Sequence, residues 1–196
     1  MINNIYINAS KKSKMDIQLT IERVEPCVWY DLGFDKEHYM TDTLNPSCKC
    51  FLFRWNDIPV GFVGLINSPN KDLKWGFRIS RIVILPHYQG LGLSSKIMNF
   101  VGGIVKAYNN EAQLYIKTIN TKMGSFLEKS NDWEATSYNG KKRKKLDFEI
   151  GRYNNRLERA SYCFKFIGKP IYGYEELMKP IGELRNKKHK HLEIEF

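Results

Sequence analysis

Residues 82–97 read Ile-Val-Ile-Leu-Pro-His-Tyr-Gln-Gly-Leu-Gly-Leu-Ser-Ser-Lys-Ile: a branched apolar strand, a proline stop, a glycine-punctuated turn and the start of an amphipathic helix. Residue types in this order suit the holding of an anion. Gly90 and Gly92 let the backbone approach a ligand closely, and the N–H groups and positive dipole end of the following helix supply the attraction. A P-loop would need a lysine directly after the second glycine, and none follows Gly92. A dinucleotide fingerprint would start its glycines at the strand end. Here Pro86, His87, Tyr88 and Gln89 intervene, and Ser95 holds the third place, although Glu111 lies at a tolerable distance for the acidic member.

The elements that must position this turn follow from periodicity. Asp16 to Val24 alternates as a first strand and Glu25-Pro26 ends it; Cys27 to Met40 is aromatic and weakly periodic, as in one or two short helices. Lys49 to Trp55 and Val60 to Ile66 form a hairpin around a turn of Asn56, Asp57, Ile58 and Pro59. Leu73 to Leu85 is long enough for an extended strand carrying a bulge. Leu93, Ile97, Phe100, Val101, Ile104 and Tyr108 recur at helical spacing and predict a helix from Leu93 to Tyr108. A strand over Gln113 to Thr118, a helix from Asn120 to about Ser130, and strands over Trp133 to Tyr138 and Glu158 to Ile167 complete the order. This predicts an α/β domain with a single mixed, mostly antiparallel sheet flanked by helices.

The 196 residues suit one domain, here residues 16–170, with residues 1–15 as an extension and 171–196 as a basic tail. A hydrophobic content of 42% excludes a disordered chain. No apolar run of membrane-spanning length or export signal is found, so a soluble, cytoplasmic protein is expected. Cys27, Cys48, Cys50 and Cys163 are too few and scattered for a disulfide framework. Cys48 and Cys50 share a strand face, but no His or second Cys pair lies at zinc-ligand spacing, so they read as buried small hydrophobes and no metal is implied.

The net charge of +10 is unevenly placed. Lys141, Lys142, Arg143, Lys144 and Lys145 form one block, and Arg185, Lys187, Lys188, His189, Lys190 and His191 another. They read as a solvated loop and tail or as contacts to RNA or another polyanion. Asp31, Asp35, Glu37 and Asp42, with only Lys36 among them, make an acidic island where a cation could dock.

Gln89-Gly90-Leu91-Gly92-Leu93-Ser94, with the strand Ile82-Val83-Ile84-Leu85 and Pro86 before it, resembles the pyrophosphate motif of the GNAT superfamily of acyl-CoA-dependent N-acyltransferases, Gln/Arg-x-x-Gly-x-Gly/Ala. Ser94 departs from the usual Gly or Ala. The order of elements agrees over roughly residues 16 to 138. The resemblance implies that backbone N–H groups from Gln89 to Ser94 bind the pyrophosphate of acetyl-CoA. It also implies that the backbone of Ile82, Val83 and Ile84 pairs with the pantetheine arm, one N–H polarising the thioester carbonyl. The segment from Asn120 to Trp133 resembles the second cofactor segment, Asn-x-x-Ala-x-x-Phe/Leu-Tyr-Glu-Lys, which places Asn120 against the pantetheine. Met123 replaces the alanine, and Leu127 stands where a tyrosine often protonates the departing thiolate. Ser125, Ser130 or a water are substitutes, or the acid is dispensable.

No Asp or Glu occurs from Lys74 through Asn110, so a general base must come from elsewhere. The first helices of this fold line the acceptor pocket, which makes Glu37, His38 and Asp42 the candidates; the bland reading of His38 and Tyr39 is an ordinary helix-end pair, and of His87 a solvent-facing loop residue. The resemblance thus implies transfer of an acetyl group from acetyl-CoA to an amine acceptor in a direct ternary complex, by an enzyme that often pairs as a homodimer. The alternative is a nucleic-acid-binding module on the same fold without catalysis.

Overall fold

A computed structural model describes residues 2–8, 16–38, 43–69, 73–141 and 161–182. Eight strands form one sheet: β1 (Ile2–Asn8), β2 (Asp16–Val24), β3 (Lys49–Trp55), β4 (Ile58–Asn67), β5 (Gly76–Ile84), β6 (Gln113–Thr118), β7 (Trp133–Ala135) and β8 (Tyr162–Phe166). Their spatial order is β1-β2-β3-β4-β5-β6-β8-β7, and among the described residues only β5 and β6 run parallel. The helices are α1 (Val28–Asp31), α2 (Phe34–Glu37), α3 (Leu93–Tyr108) and α4 (Thr121–Lys129), with 3-10 turns at Pro86–Tyr88 and Glu175–Met178. The mixed, mostly antiparallel sheet flanked by helices is the architecture expected from the sequence.

Alternation writes the sheet. In β2, Ile17, Leu19 and Ile21 are fully buried on one face; the same face takes Phe51, Phe53, Val63 and Leu65 from β3 and β4. Against it lie α3, α4 and the Glu175–Met178 turn. The other face packs Cys50, Leu52, Phe62 and Val83 under Trp29 and Phe34 of α1 and α2, whose rings stack at a 6.3 Å separation. Burying an aromatic side chain of this kind is worth about 2 kcal/mol. These two short helices are therefore held by packing rather than by their own propensity.

Two turns depart in detail from expectation. The β3–β4 hairpin turns on Asn56 and Asp57 alone, both left-handed at φ 48° and 64°, a conformation short polar side chains tolerate. Ile58 and Pro59, expected in that turn, instead begin β4. The bulge expected in the next strand lies at Ser80: Leu65 pairs with Ile79 and Gly64 with Arg81, so Ser80 is the extra residue.

Described residues on either side of the expected domain, 2–8 and 171–178, take part in the fold. Ile2–Asn8, expected as an extension, pairs with β2 along its whole length. At the other end, Tyr174, Leu177 and Met178 are buried in the main core, and the Tyr174 ring meets Phe100 edge-on at 5.0 Å. Packing thus continues eight residues past the expected boundary at 170. Tyr39, Met40, Asp42, Lys142, Arg143, Lys144, Lys145 and the Arg185–His191 block lie outside the described residues, as do the first three residues of the expected Glu158–Ile167 strand.

Candidate active site

The bulge at Ser80 splits the centre of the sheet. β5 and β6 pair only from Gly76 with Gln113 to Ile79 with Ile116; beyond that β5 follows β4, while β6 follows β8 to the pair Thr118 with Tyr162. The strands part into a wedge, and a cavity of about 470 Å³ opens there, lined among others by Ser80, Ile82, Ile84, Gly92, Thr118 and Phe126. Which peptide groups face it follows from alternation. The Leu85 N–H donates to the Val60 carbonyl at 3.0 Å, so Val83, two residues back, is also in a hydrogen-bonded pair with β4. The peptide groups of Ile82 and Ile84 turn the other way, into the wedge. The expected trio therefore divides: Ile82 offers its edge groups and Ile84 its N–H, whereas Val83 pairs with Phe62.

The Ile84 carbonyl accepts the Gln89 side-chain amide at 2.8 Å, which ties the glycine turn back onto the strand. That bond fixes the start of the turn. Gly90 (φ 84°) and Gly92 (φ 74°) are both left-handed, and a Cβ at either would meet nothing within 4 Å. The residues are glycine for conformation, and the space before them is open. Gly92 is the N-cap of α3 with no side-chain cap; its carbonyl accepts the Ser95 hydroxyl at 2.8 Å and the Lys96 N–H at 3.4 Å. The N–H groups of Leu93, Ser94 and Ser95 are thus presented at a positive helix end beside an open cradle. Leu91 turns its side chain into the main core, and Leu93 is buried beneath the turn. These features fit a pyrophosphate attached to an extended, amide-bearing arm.

α4 meets the same cavity differently. Asn120 lines it, but its Oδ1 accepts the Met123 N–H at 3.1 Å and its own N–H donates to the Thr118 hydroxyl at 3.0 Å. Its side-chain oxygen is occupied as a helix cap. Gly124 lets α4 sit on β8, since a Cβ there would meet the Tyr162 ring at 2.4 Å. Met123 and Phe126 line the cavity, while Leu127 is fully buried in the main core. Ser125 and Ser130 are not among the lining residues. The hydroxyl-bearing residues among those that line the cavity are Ser80, Tyr88, Ser94, Ser95 and Thr118. Ser80, Tyr88 and Thr118 are not among the site residues expected from the sequence. The one readable signal is Ser80 followed by Arg81, two polar residues in succession that interrupt the alternation of their strand.

Glu37 and His38 line the cavity at the end of α2, and Glu37 is the one carboxylate among its described lining residues. The His38 ring packs edge-on against buried Trp29 at 5.8 Å. Asp31 and Asp35 do not reach the cavity, and His87 is exposed away from it. Cys48 and Cys50 are buried beneath α1 and α2, and burial pushes the Cys50 thiol up to about 12 and the Cys48 thiol upward as well. They are inert packing groups.

Comparison with known proteins places this geometry. A family model described as the acetyltransferase (GNAT) family matches residues 16–132. Similar solved structures include *Arabidopsis thaliana* Naa50 in complex with a bisubstrate analogue (17% identity, 75% of this chain and 97% of that one, TM-score 0.54). Others are the ribosomal-protein-S18-alanine N-acetyltransferase of *Escherichia coli* (12%, 79% and 99%, TM-score 0.55) and the spermidine/spermine N-acetyltransferase SpeG of *Vibrio cholerae* (15%, 76% and 91%, TM-score 0.54). No curated protein sequence matches the chain. The structural likenesses establish the fold, and the family match spans the wedge, the glycine turn and α4 alike: the chain belongs to the GNAT family of acetyltransferases.

Proposed function

We propose that this protein transfers the acetyl group of acetyl-CoA to an amine by direct attack in a ternary complex. The observation that carries this reading is the parting of β5 from β6 beyond Ile79 and Ile116, beside the uncapped start of α3. Acetyl-CoA supplies an acyl carbon activated by its thioester. The N–H groups from Gly90 to Ser95 hold phosphate charge, the Gln89 N–H being donated to the Pro86 carbonyl at 3.2 Å, and the edge groups of Ile82 with the Ile84 N–H fix the arm like an added strand. One of those N–H groups, aimed at the carbonyl oxygen, stabilises the negative charge that develops as the amine adds. The new C–N bond replaces the C–S bond, and the amine proton passes to Glu37 or His38. With Leu127 in the core, the sulfur leaves as thiolate or takes a proton from water, Ser80 or Thr118.

The setting of the reaction belongs to the same reading. Four unbridged thiols and the lack, among the described residues, of any helix long and apolar enough to cross a membrane support a cytoplasmic enzyme. The charge of +10 supports contact with RNA or another polyanion as an addition to catalysis. A homodimer is proposed from family membership alone.

Thiol release from acetyl-CoA across an amine panel tests the reading. Release is expected with at least one amine, and Glu37→Gln or His38→Ala should lower kcat/KM by about a hundredfold for the residue that acts as base, removing the acidic limb of the pH profile. Binding of acetyl-CoA without thiol release for any amine would contradict catalysis.

A further inference from the structure

The sheet face opposite α3 is covered by α1 and α2 over β2 to β5. Over β6 and β8, no helix among the described residues covers it. Arg78 of β5 pairs in register with Tyr115 of β6, and Lys117 follows two residues on, so all three side chains share this face. They line a second hollow of about 200 Å³ together with Tyr138 and Thr136. Ile116 and Lys117 line both hollows, so the second opens beside the first.

The charges on this face are unevenly matched. Lys165, which pairs in register with Tyr115, is held by Glu134 at 3.0 Å. Arg78 and Lys117 are exposed and make no ion pair among the described residues. Lys141 adds a third cation, its ammonium 5.8 Å from the centre of the Tyr138 ring that walls the hollow. The opposite sign sits in the first cavity, where Glu37 is the one carboxylate among the described lining residues. Glu37 marks the α2 side of the first cavity as its negative end; Lys122, in the first turn of α4, and Lys117 are the two cations among its described lining residues, and Lys117 carries the positive sign on into the second hollow.

We propose that Arg78 and Lys117 form an anion subsite for the acceptor, so that the amine acetylated here carries a phosphate or carboxylate at its far end. The inference rests on the acetyl-transfer reading above and names its substrate class. The amine enters the wedge on the Glu37 side, and the anionic group settles between the guanidinium and the ammonium, with the Tyr138 hydroxyl as a further donor. A hollow of about 200 Å³ admits a single phosphate or carboxylate with its stem. A polycation such as spermidine would meet like charge there.

Matched amines test this: O-phosphoethanolamine and β-alanine against ethanolamine and spermidine, titrated into the full-length protein and followed by amide chemical shifts. An anionic amine should shift the amides of Arg78, Tyr115 and Lys117 in a salt-sensitive way, and the arm that responds names phosphate or carboxylate as the group. Arg78→Gln with Lys117→Gln should weaken that binding about tenfold, the scale of one well-placed charge contact. Both positions are exposed, so the folded state should persist, and Arg78→Gln alone should leave acetyl-CoA affinity unchanged. Equal shifts from ethanolamine or spermidine, no shifts from either anionic amine, or full affinity in the double variant would overturn the proposal. Thiol release is scored separately. If no amine releases thiol, acetyl transfer fails while the shift map still decides the anion subsite.

Discussion

Two helices begin at the same cavity and use their first turns in opposite ways. α3 starts from Gly92, left-handed and without a side-chain cap, while α4 starts from Asn120, whose side chain accepts the Met123 N–H at 3.1 Å. A helix start presents N–H groups that must find partners. Asn120 supplies a partner from within the chain, so α4 is complete as it stands. Gly92 cannot, and the turn before it is open, so the donors of α3 are kept for a ligand. The lesson is that both segments match cofactor motifs, yet only one of them has the physical form of an anion site.

Breaking the open start should have the largest effect. Gly92→Glu forces a side chain into a left-handed conformation and adds a negative charge to the cradle; acetyl-CoA affinity measured calorimetrically should fall by about a hundredfold, or about 2.7 kcal/mol. Leu127→Tyr, which restores the residue common in the family, should not raise turnover. Leu127 is fully buried in the main core, so the larger ring should cost about 1–3 kcal/mol of stability in denaturant melts. At the capped start, Asn120→Ala should cost about 1 kcal/mol of stability through the lost cap and leave acetyl-CoA affinity nearly unchanged.

The smallest effect lies away from the cavity. Burial pushes the Tyr174 phenol from 10.0 up to about 12, so the unfolded chain releases this proton before the folded one does. Its contribution is intact below pH 10 and is lost as pH rises toward 12. Tyr174→Phe should flatten the fall in melting temperature across that alkaline window.

Much of this arrangement could be read from residue order. The 3.6-residue recurrence from Leu93 to Tyr108 gives α3 its observed bounds, and Lys49–Trp55 and Gln113–Thr118 are likewise strands as read. The glycine turn was legible because left-handed glycines before a helix leave few alternatives. β1 was not: Asn3, Asn4 and Asn8 interrupt its apolar pattern, and its place depends on pairing with β2. Burial of Tyr174 depends on Phe100, far away in sequence. The division between Ile82, Val83 and Ile84 was equally hidden, since it depends on which side of β5 meets β4. Leu127 could be seen to replace a tyrosine, but that it faces the core is a property of how α4 packs.

Amide hydrogen exchange with and without acetyl-CoA addresses the contrast between the two helix starts most directly. Added protection is expected at Ile82, Ile84 and Gly90 to Ser95, with Thr121 to Met123 unchanged. Protection confined to the start of α4, or none in the wedge and the glycine turn, would contradict that contrast.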